Sequence, residues 1–257
     1  TRSYALNRLA INLGWAVGSG LGGILANINY ELLFWVDGCT NIGAAVLMWL
    51  VLTPVAYKPS ARAGIENVSA RSAYRDKVYL LFAGITLLFA SCFFQLFNNL
   101  PLFFEKEMNF SKPFIGLLMG ANGVIIALFE MVLIYKLEGR RQNIVYITTG
   151  VFIVGLSFLL LNAPGPAAIV ASGMILLVTF GEILSMLFMN SYWIARTQPS
   201  NRGQYAALYT MAWSAAQTLG PMGGAQIAQH WGFSNLWWIT GSICIIAALA
   251  FKQFVRN

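Results

Sequence analysis

The chain has 257 residues, of which 58% are hydrophobic and 10% are charged. Soluble globular domains carry about 25% charged residues, so the composition excludes a soluble domain and predicts an integral membrane protein. The net charge of +7 does not indicate nucleic-acid binding, because the basic residues lie between apolar runs rather than along one face.

Eight apolar stretches are predicted, each about long enough to cross a bilayer as a helix. They span residues 4–26, 32–55, 78–98, 114–135, 143–161, 167–194, 205–229 and 236–254. Backbone groups in lipid are satisfied only in helices or closed barrels, and no stretch alternates as a barrel strand does. The predicted fold class is therefore an all-α membrane protein with eight transmembrane helices.

One connection is much longer than the others. Residues 56–77 are polar and include Pro59, Gly64 and several basic side chains. This segment divides the chain into a two-helix piece, residues 1–55, and a six-helix piece, residues 78–257.

The distribution of basic residues predicts the orientation. All of the 16 lysines and arginines except Lys106 and Lys112 fall in the same set of alternate loops and at the two ends of the chain. Cytoplasmic loops carry such an excess of positive charge. Both ends of the chain and the long connection are therefore expected to be cytoplasmic.

The first and seventh stretches resemble each other. Residues 4–23 read YALNRLAINLGWAVGSGLGG, and residues 205–224 read YAALYTMAWSAAQTLGPMGG. Aligning the copies places Tyr4 on Tyr205 and the pair Gly22-Gly23 on the pair Gly223-Gly224. Glycines three and four residues apart share a helix face, along which another helix can approach closely. Two similar copies predict two similar halves, an organisation typical of secondary transporters.

Together these features resemble the major facilitator superfamily of secondary transporters, whose members have two six-helix bundles joined by a long cytoplasmic loop. The resemblance implies that residues 56–77 are this central loop. The eight stretches then correspond to helices five to twelve of the family, and the first four helices are missing from this chain. The repeat pairs helix five with helix eleven.

Two local motifs narrow the resemblance to drug/proton antiporters of this superfamily. Their fifth helix carries G-x3-G-P-x2-G-G, and here Gly14, Gly18, Gly22 and Gly23 match it while Ser19 replaces the proline. The resemblance implies a moving helix interface formed by Gly14, Gly18, Gly22, Gly23, Gly220, Pro221, Gly223 and Gly224.

The second motif is the loop after the eighth helix of the family, which reads D-R-x-G-R-R. Gly139, Arg140 and Arg141 match its end, while Lys136 and Leu137 stand where the acidic and basic pair is expected. The resemblance implies a gating loop at this position.

Three carboxylates lie within the predicted spans. Ionisable groups inside a membrane usually face a cavity or are paired, and in transporters they form proton relays. Glu182 is the strongest candidate for proton coupling or substrate contact, the alternative being a protonated side chain bonded to a neighbouring helix. Glu130 is expected in a charge cluster with Lys136 and Arg140 at the inner gate. Asp37 is expected to cap a helix or to bond another helix. For both Glu130 and Asp37 the alternative is a role in proton coupling or substrate contact.

Uncharged groups could line a substrate cavity. Asn122 and Gln217 lie on glycine-rich faces, and amides can bind substrates without charge, although they more often join helices. Phe94 and Trp213 are aromatic candidates for contact with flat, apolar molecules, although most aromatic residues of membrane proteins lie in interfacial belts.

These observations predict a secondary transporter that works by alternating access and exports small lipophilic compounds in exchange for protons. Proton-coupled uptake of a nutrient is one alternative, and an eight-span membrane enzyme or receptor is another. The expected partners are a small-molecule substrate, protons and membrane lipid, with no cofactor, metal or nucleic acid. The expected location is the inner membrane of a bacterium.

Overall fold

The computed structural model describes residues 2–51 and 72–254, with the backbone alone for residues 2–9. The regular secondary structure of the described residues is helical, with no strand. The helices are α1 (Arg2–Ile28), α2 (Glu31–Val51), α3 (Lys77–Phe93), α4 (Asn99–Lys106), α5 (Lys112–Leu137), α6 (Asn143–Leu160), α7 (Ala167–Ala195) and α8 (Arg202–Gln253). Short 3-10 helices at Ala73–Arg75 and Phe94–Leu96 flank α3. The predicted long connection lies outside the described residues except for residues 72–77.

The described part of the chain contains seven helices that are long and apolar enough to cross a membrane, which confirms the predicted membrane class. The predicted seventh and eighth stretches both fall in α8, which has 52 residues. At 1.5 Å per residue a helix of this length would extend about 78 Å, against a hydrocarbon core of about 30 Å. The backbone leaves helical geometry at Gly232, with φ 84° and ψ 162°, so α8 has two arms.

The third predicted stretch is interrupted rather than continuous. Helix α3 ends at Phe93, a 3-10 turn follows, and α4 carries the apolar segment on to Lys106, beyond the predicted end at residue 98. Pro101 explains the interruption, because its ring would clash with the carbonyl of Phe97 in a continuous α-helix.

The core is formed by all the helices from α3 to α8, each of which contributes to the main cluster of buried apolar side chains. Small residues allow close helix crossings. A Cβ atom on Gly150 of α6 would lie 2.6 Å from the carbonyl oxygen of Gly181 of α7, and one on Gly155 of α6 would lie 3.0 Å from that of Gly241 of α8.

The first two helices attach to this core mainly through one contact. Helix α1 packs against α5, and α2 contacts α1. None of the residues of α2 is buried. Of the described side chains of α1, only Ala16 is buried. The contact between α1 and α5 therefore decides where the N-terminal segment lies relative to the core.

Candidate functional site

The α1–α5 contact consists of small residues on both helices. Gly116, Gly120 and Gly123 of α5 face α1, where a Cβ atom on Gly120 would lie 3.1 Å from the carbonyl oxygen of Ala16. A Cβ atom on Gly123 would lie 2.8 Å from the carbonyl oxygen of Asn12. These glycines recur at helical spacing, so one face of α5 lets the backbone of α1 approach closely.

The predicted interface glycines divide into two groups. Those that touch a neighbouring helix are Gly23, Gly220 and Gly224, and Pro221 contributes its carbonyl oxygen to a hydrogen bond. Gly14, Gly18 and Gly223 have no atom within 4 Å of an added Cβ, and Gly22 has only Leu33 Cδ2 at 3.9 Å. The second glycine of each Gly-Gly pair therefore faces the partner helix, and the first does not. The partner is α5 for Gly23 and the break between α3 and α4 for Gly224, while Gly220 faces α3.

Glu182 lies in a buried polar group between α5 and α7. The Asn122 side chain donates hydrogen bonds to Thr179 Oγ1 at 2.9 Å and to Glu182 Oε2 at 3.3 Å. The exposed fractions of Asn122, Thr179 and Glu182 are 2%, 0% and 8%. The structure therefore joins two predicted site residues, Asn122 and Glu182, by a direct bond. Thr179, one helical turn before Glu182, was not predicted from the sequence.

Glu130 lies at the α1–α5 contact. Its side chain is 4% exposed, and Asn12 of α1 donates a hydrogen bond to Glu130 Oε2 at 3.2 Å. A carboxyl group buried in a membrane protein is stabilised by a hydrogen-bond partner of this kind. The bond to Asn12 joins the two helices that the glycines bring together.

Asp37 and Gln217 are both exposed. Asp37 lies within α2 rather than at its end, and its carboxylate accepts a hydrogen bond from Asn41 of the same helix at 3.2 Å. The expectation of a cap is wrong, since the Asn29 side chain accepts the bond from the Glu31 backbone N–H at the start of α2.

The structure brings the two predicted aromatic residues together. The rings of Phe94 and Trp213 lie 5.8 Å apart, edge to face, and both side chains are half-buried. Phe97 lies beside Phe94, and Trp15 of α1 packs edge-on against Phe97 at 4.7 Å. This aromatic group therefore extends from α8 across the break after α3 to α1.

Two amide side chains hold the break between α3 and α4 against α8. Gln95 donates to the carbonyl oxygen of Gly220 at 2.7 Å, and Asn99 donates to that of Pro221 at 3.2 Å and to Gln95 Oε1. Gly224 has no side chain, which leaves room for both amides. The glycines of the repeat copy in α8 thus leave room for polar side chains as well as for the backbone of a neighbouring helix.

The predicted gating loop is a turn between α5 and α6. Gly139 has φ 78°, a left-handed conformation that favours glycine, and Arg140 and Arg141 are exposed. Tyr146 anchors the turn by donating to the Leu137 carbonyl oxygen at 3.0 Å.

A charged group that the sequence analysis missed lies where α3 begins. Arg196, just after α7, donates to the Asp76 carboxylate from Nε at 2.7 Å and from Nη2 at 3.0 Å. Tyr205 of α8 donates to Asp76 Oδ2 at 2.9 Å, and the Tyr79 backbone N–H donates to Oδ1 at 3.1 Å. The Arg196 bonds lower the pKa of Asp76 to about 2, and Asp76 in turn raises the pKa of Arg196. We name Asp76, Tyr79, Arg196 and Tyr205 the Asp76 cluster.

Asp76 could have been recognised from the sequence as a helix-capping residue, since it directly precedes an apolar run. Its pairing with Arg196 could not, because 120 residues separate the two. Within the described residues, no group of three or more His, Cys, Asp or Glu side chains could hold a metal ion.

Comparison with known proteins assigns the fold. The sequence model of the Major Facilitator Superfamily matches residues 1–221, most of the chain. The chain belongs to the major facilitator superfamily. Members of this superfamily are secondary transporters rather than enzymes, which removes the alternative of a membrane enzyme.

Similar proteins of the superfamily occur in distant organisms. Sugar efflux transporter A of Escherichia coli (strain K12) is 25% identical over 248 residues, covering 93% of this chain and 60% of the relative. The MFS-type transporter SLC18B1 of Rattus norvegicus is 24% identical over 263 residues, covering 94% of this chain and 55% of the relative. The uncharacterized MFS-type transporter YttB of Bacillus subtilis (strain 168) is 18% identical over 231 residues, with coverages of 89% and 57%. The chain thus spans between 55% and 60% of the length of these relatives.

Proposed function

We propose that this chain is part of a secondary transporter that exports small lipophilic molecules in exchange for protons by alternating access. The observation that carries the proposal is the bond between Asn122 of α5 and Glu182 of α7. Glu182 is a buried carboxyl group within a membrane-spanning helix, and it bonds a side chain of another helix. Loading or releasing a proton at Glu182 would change that helix contact, as coupled transport requires.

The packing supports the proposed correspondence with helices five to twelve. The two arms of α8, residues 202–231 and 233–253, are each long enough to cross a bilayer, which gives eight crossings in place of seven. Helices α3 to α8 then form the C-terminal six-helix bundle, and α1 and α2 belong to the N-terminal bundle. The small-residue contact between α1 and α5 lies between the two proposed bundles, where alternating access requires movement.

The aromatic group supports a flat, apolar substrate. Phe94 and Trp213 are half-buried and lie at the same side of α3 and α8, and Trp15 extends the group onto α1. A substrate held between these rings would contact both proposed bundles. Its binding could therefore favour one of the two conformations, because a ligand shifts an equilibrium by its differential affinity for the two states.

Export of a sugar is a second candidate. A relative at 25% identity is named sugar efflux transporter A.

Transport by the full-length protein in membrane vesicles tests the proposal. Everted vesicles with an acidic lumen should accumulate ethidium, a flat lipophilic cation, and the accumulation should collapse when the pH gradient is dissipated. Lactose accumulation in place of ethidium would favour the sugar candidate. Accumulation in right-side-out vesicles with an acidic exterior would contradict export and support proton-coupled uptake. No effect of the pH gradient on either probe would contradict proton coupling.

A further inference from the structure

The Asp76 cluster joins three helices at one end of the core. The Asp76 carboxylate starts α3, Arg196 ends α7, and Tyr205 lies in the first turn of α8. Tyr79 adds a second link between α3 and α8, since its hydroxyl donates to the Tyr205 carbonyl oxygen at 2.7 Å. Asp76 is only 6% exposed although it lies at a helix start.

The hydrogen bonds to Asp76 in this cluster are charge-assisted, which makes them stronger than hydrogen bonds between neutral groups. Arg196 approaches Asp76 with two nitrogen atoms, and paired charge-assisted bonds fix orientation as well as distance. The Asp76 carboxylate accepts four hydrogen bonds, two from Arg196 and one each from Tyr79 and Tyr205. The three helices are therefore held at defined relative positions at this end.

The cluster is also where α7 meets α3 and α8. Helix α7 packs mainly on α6 along its length, and α3 packs mainly on α8. Helix α6 also packs on α8, and the ring contacts that α7 itself makes with α3 and α8 lie in its last turn. Tyr192 lies 4.5 Å from Phe82 of α3, and Trp193 lies 6.0 Å from Tyr209 of α8. Arg196 follows directly after this turn.

The joined helices carry the groups of the proposed transport site. Glu182 is on α7, Trp213 is on α8, and Phe94 follows directly after α3. We propose that Asp76 and Arg196 are positioning residues of the transport cycle, which couple movement of the Glu182 helix to the two helices that bear the aromatic group. This inference rests on the proposed function, since it assigns the route by which proton binding and substrate binding influence each other.

The chain offers a matched control for Arg196. Arg202 is the first residue of α8, directly after the connection that contains Arg196, and it is exposed and absent from the Asp76 cluster. Arg196→Gln and Arg202→Gln remove the same charge at the same end of the core, so any effect on membrane orientation is shared. Tyr205→Phe is a milder variant, which keeps the ring beside Tyr79 and removes the hydroxyl group that donates to Asp76.

The test compares ethidium exchange with ethidium transport driven by a pH gradient, using the full-length protein in vesicles. Arg196→Gln should leave exchange without a gradient within about twofold of wild type and reduce the stimulation by the gradient at least fivefold. Tyr205→Phe should show a smaller reduction, and Arg202→Gln should show none. Equal loss of both activities in Arg196→Gln per folded molecule would mean that the cluster is only structural. Unchanged stimulation in Arg196→Gln would also overturn the proposal.

A second measurement separates this inference from the proposed function. Wild-type protein without any stimulation by the pH gradient would contradict proton coupling itself. Hydrogen exchange of the backbone amides in residues 183–195 can still be measured with and without ethidium. Ethidium should slow this exchange in wild type and Arg202→Gln, and should not slow it in Arg196→Gln. Equal slowing in all three proteins, or none in wild type, would overturn the role of the cluster.

Discussion

Gly23 of α1 and Gly116 of α5 approach so closely that a Cβ atom on either glycine would lie 3.0 Å from the Cα atom of the other. The Gly23 Cβ would also lie 2.7 Å from the Lys112 carbonyl oxygen. These neighbours are backbone atoms, which cannot turn aside as the end of a side chain can. Even a methyl group would therefore separate the two helices.

Gly116→Ala should destabilise the α1–α5 contact, because extra methyl groups in a packed site cost about 1–3 kcal/mol. Gly22→Ala is the matched control, since its nearest neighbour would be a side-chain carbon of Leu33 at 3.9 Å. Thermal unfolding of the purified full-length protein in detergent should show a lower midpoint for Gly116→Ala and little change for Gly22→Ala. Equal midpoints for the two variants would contradict the described packing of α1 on α5.

In the second repeat copy, a comparison of two glycine variants tests how α8 packs on α3. A Cβ atom on Gly220 would lie 2.8 Å from the Ser91 Cα atom, whereas Gly223 has no neighbour within 4 Å. Gly220→Ala should therefore lower the unfolding midpoint and reduce transport, because it also displaces the carbonyl oxygen that Gln95 binds. Gly223→Ala should retain wild-type values in both measurements. A larger effect of Gly223→Ala than of Gly220→Ala would mean that the Gly223 face of α8, and not the Gly220 face, packs on α3.

The Asp76 cluster makes the stability of the protein depend on pH in the acid range. The pKa of Asp76 falls from 3.8 to about 2, mainly through its bonds with Arg196. A group with a lowered folded-state pKa stabilises the fold above its unfolded value and loses that contribution as the pH falls through the folded value. The contribution of the Asp76 charge should therefore be complete above about pH 4 and vanish towards pH 2.

Asp76→Asn isolates this contribution, because the amide oxygen can still accept a bond while the charge is removed. At pH 6 wild type should have a higher unfolding midpoint than Asp76→Asn. The two free energies of unfolding should differ by on the order of 2 kcal/mol. The difference should shrink between pH 4 and pH 2. A constant difference over this range would mean that the ion pair with Arg196 contributes nothing.

Much of the fold followed from the length of the apolar runs. A run of about 20 apolar residues predicts a membrane-spanning helix. The observed bounds of α5, α6 and α7 accordingly fall within a few residues of the predicted ones. The break near Pro101 was missed because the hydrophobic pattern continues across it. The joining of the last two stretches was missed because the turn at Gly232 is a single residue, which periodicity does not reveal.

The site was predicted less completely than the fold. The sequence marks Glu182 and Asn122 separately, as polar groups inside apolar runs, and the structure joins them. Their pairing depends on how α5 and α7 pack, which the spacing along one helix does not specify. Likewise the repeat predicts glycine-rich helix faces. Whether Gly22 or Gly23 contacts α5 depends on how α1 is rotated about its own axis, which the repeat does not specify. The Asp76–Arg196 pair had no local signal beyond a capping residue.

The central claim is that Glu182 carries the proton that drives export, and Glu182→Gln in the full-length protein tests it most directly. Glutamine keeps an oxygen that can accept the bond from Asn122 but cannot exchange a proton, so the variant should remain folded in the membrane. Glu105→Gln, at an exposed position of α4, is the matched control. Ethidium accumulation driven by a pH gradient in everted vesicles should be abolished by Glu182→Gln and unchanged by Glu105→Gln. Accumulation by Glu182→Gln equal to wild type at every pH would contradict the account.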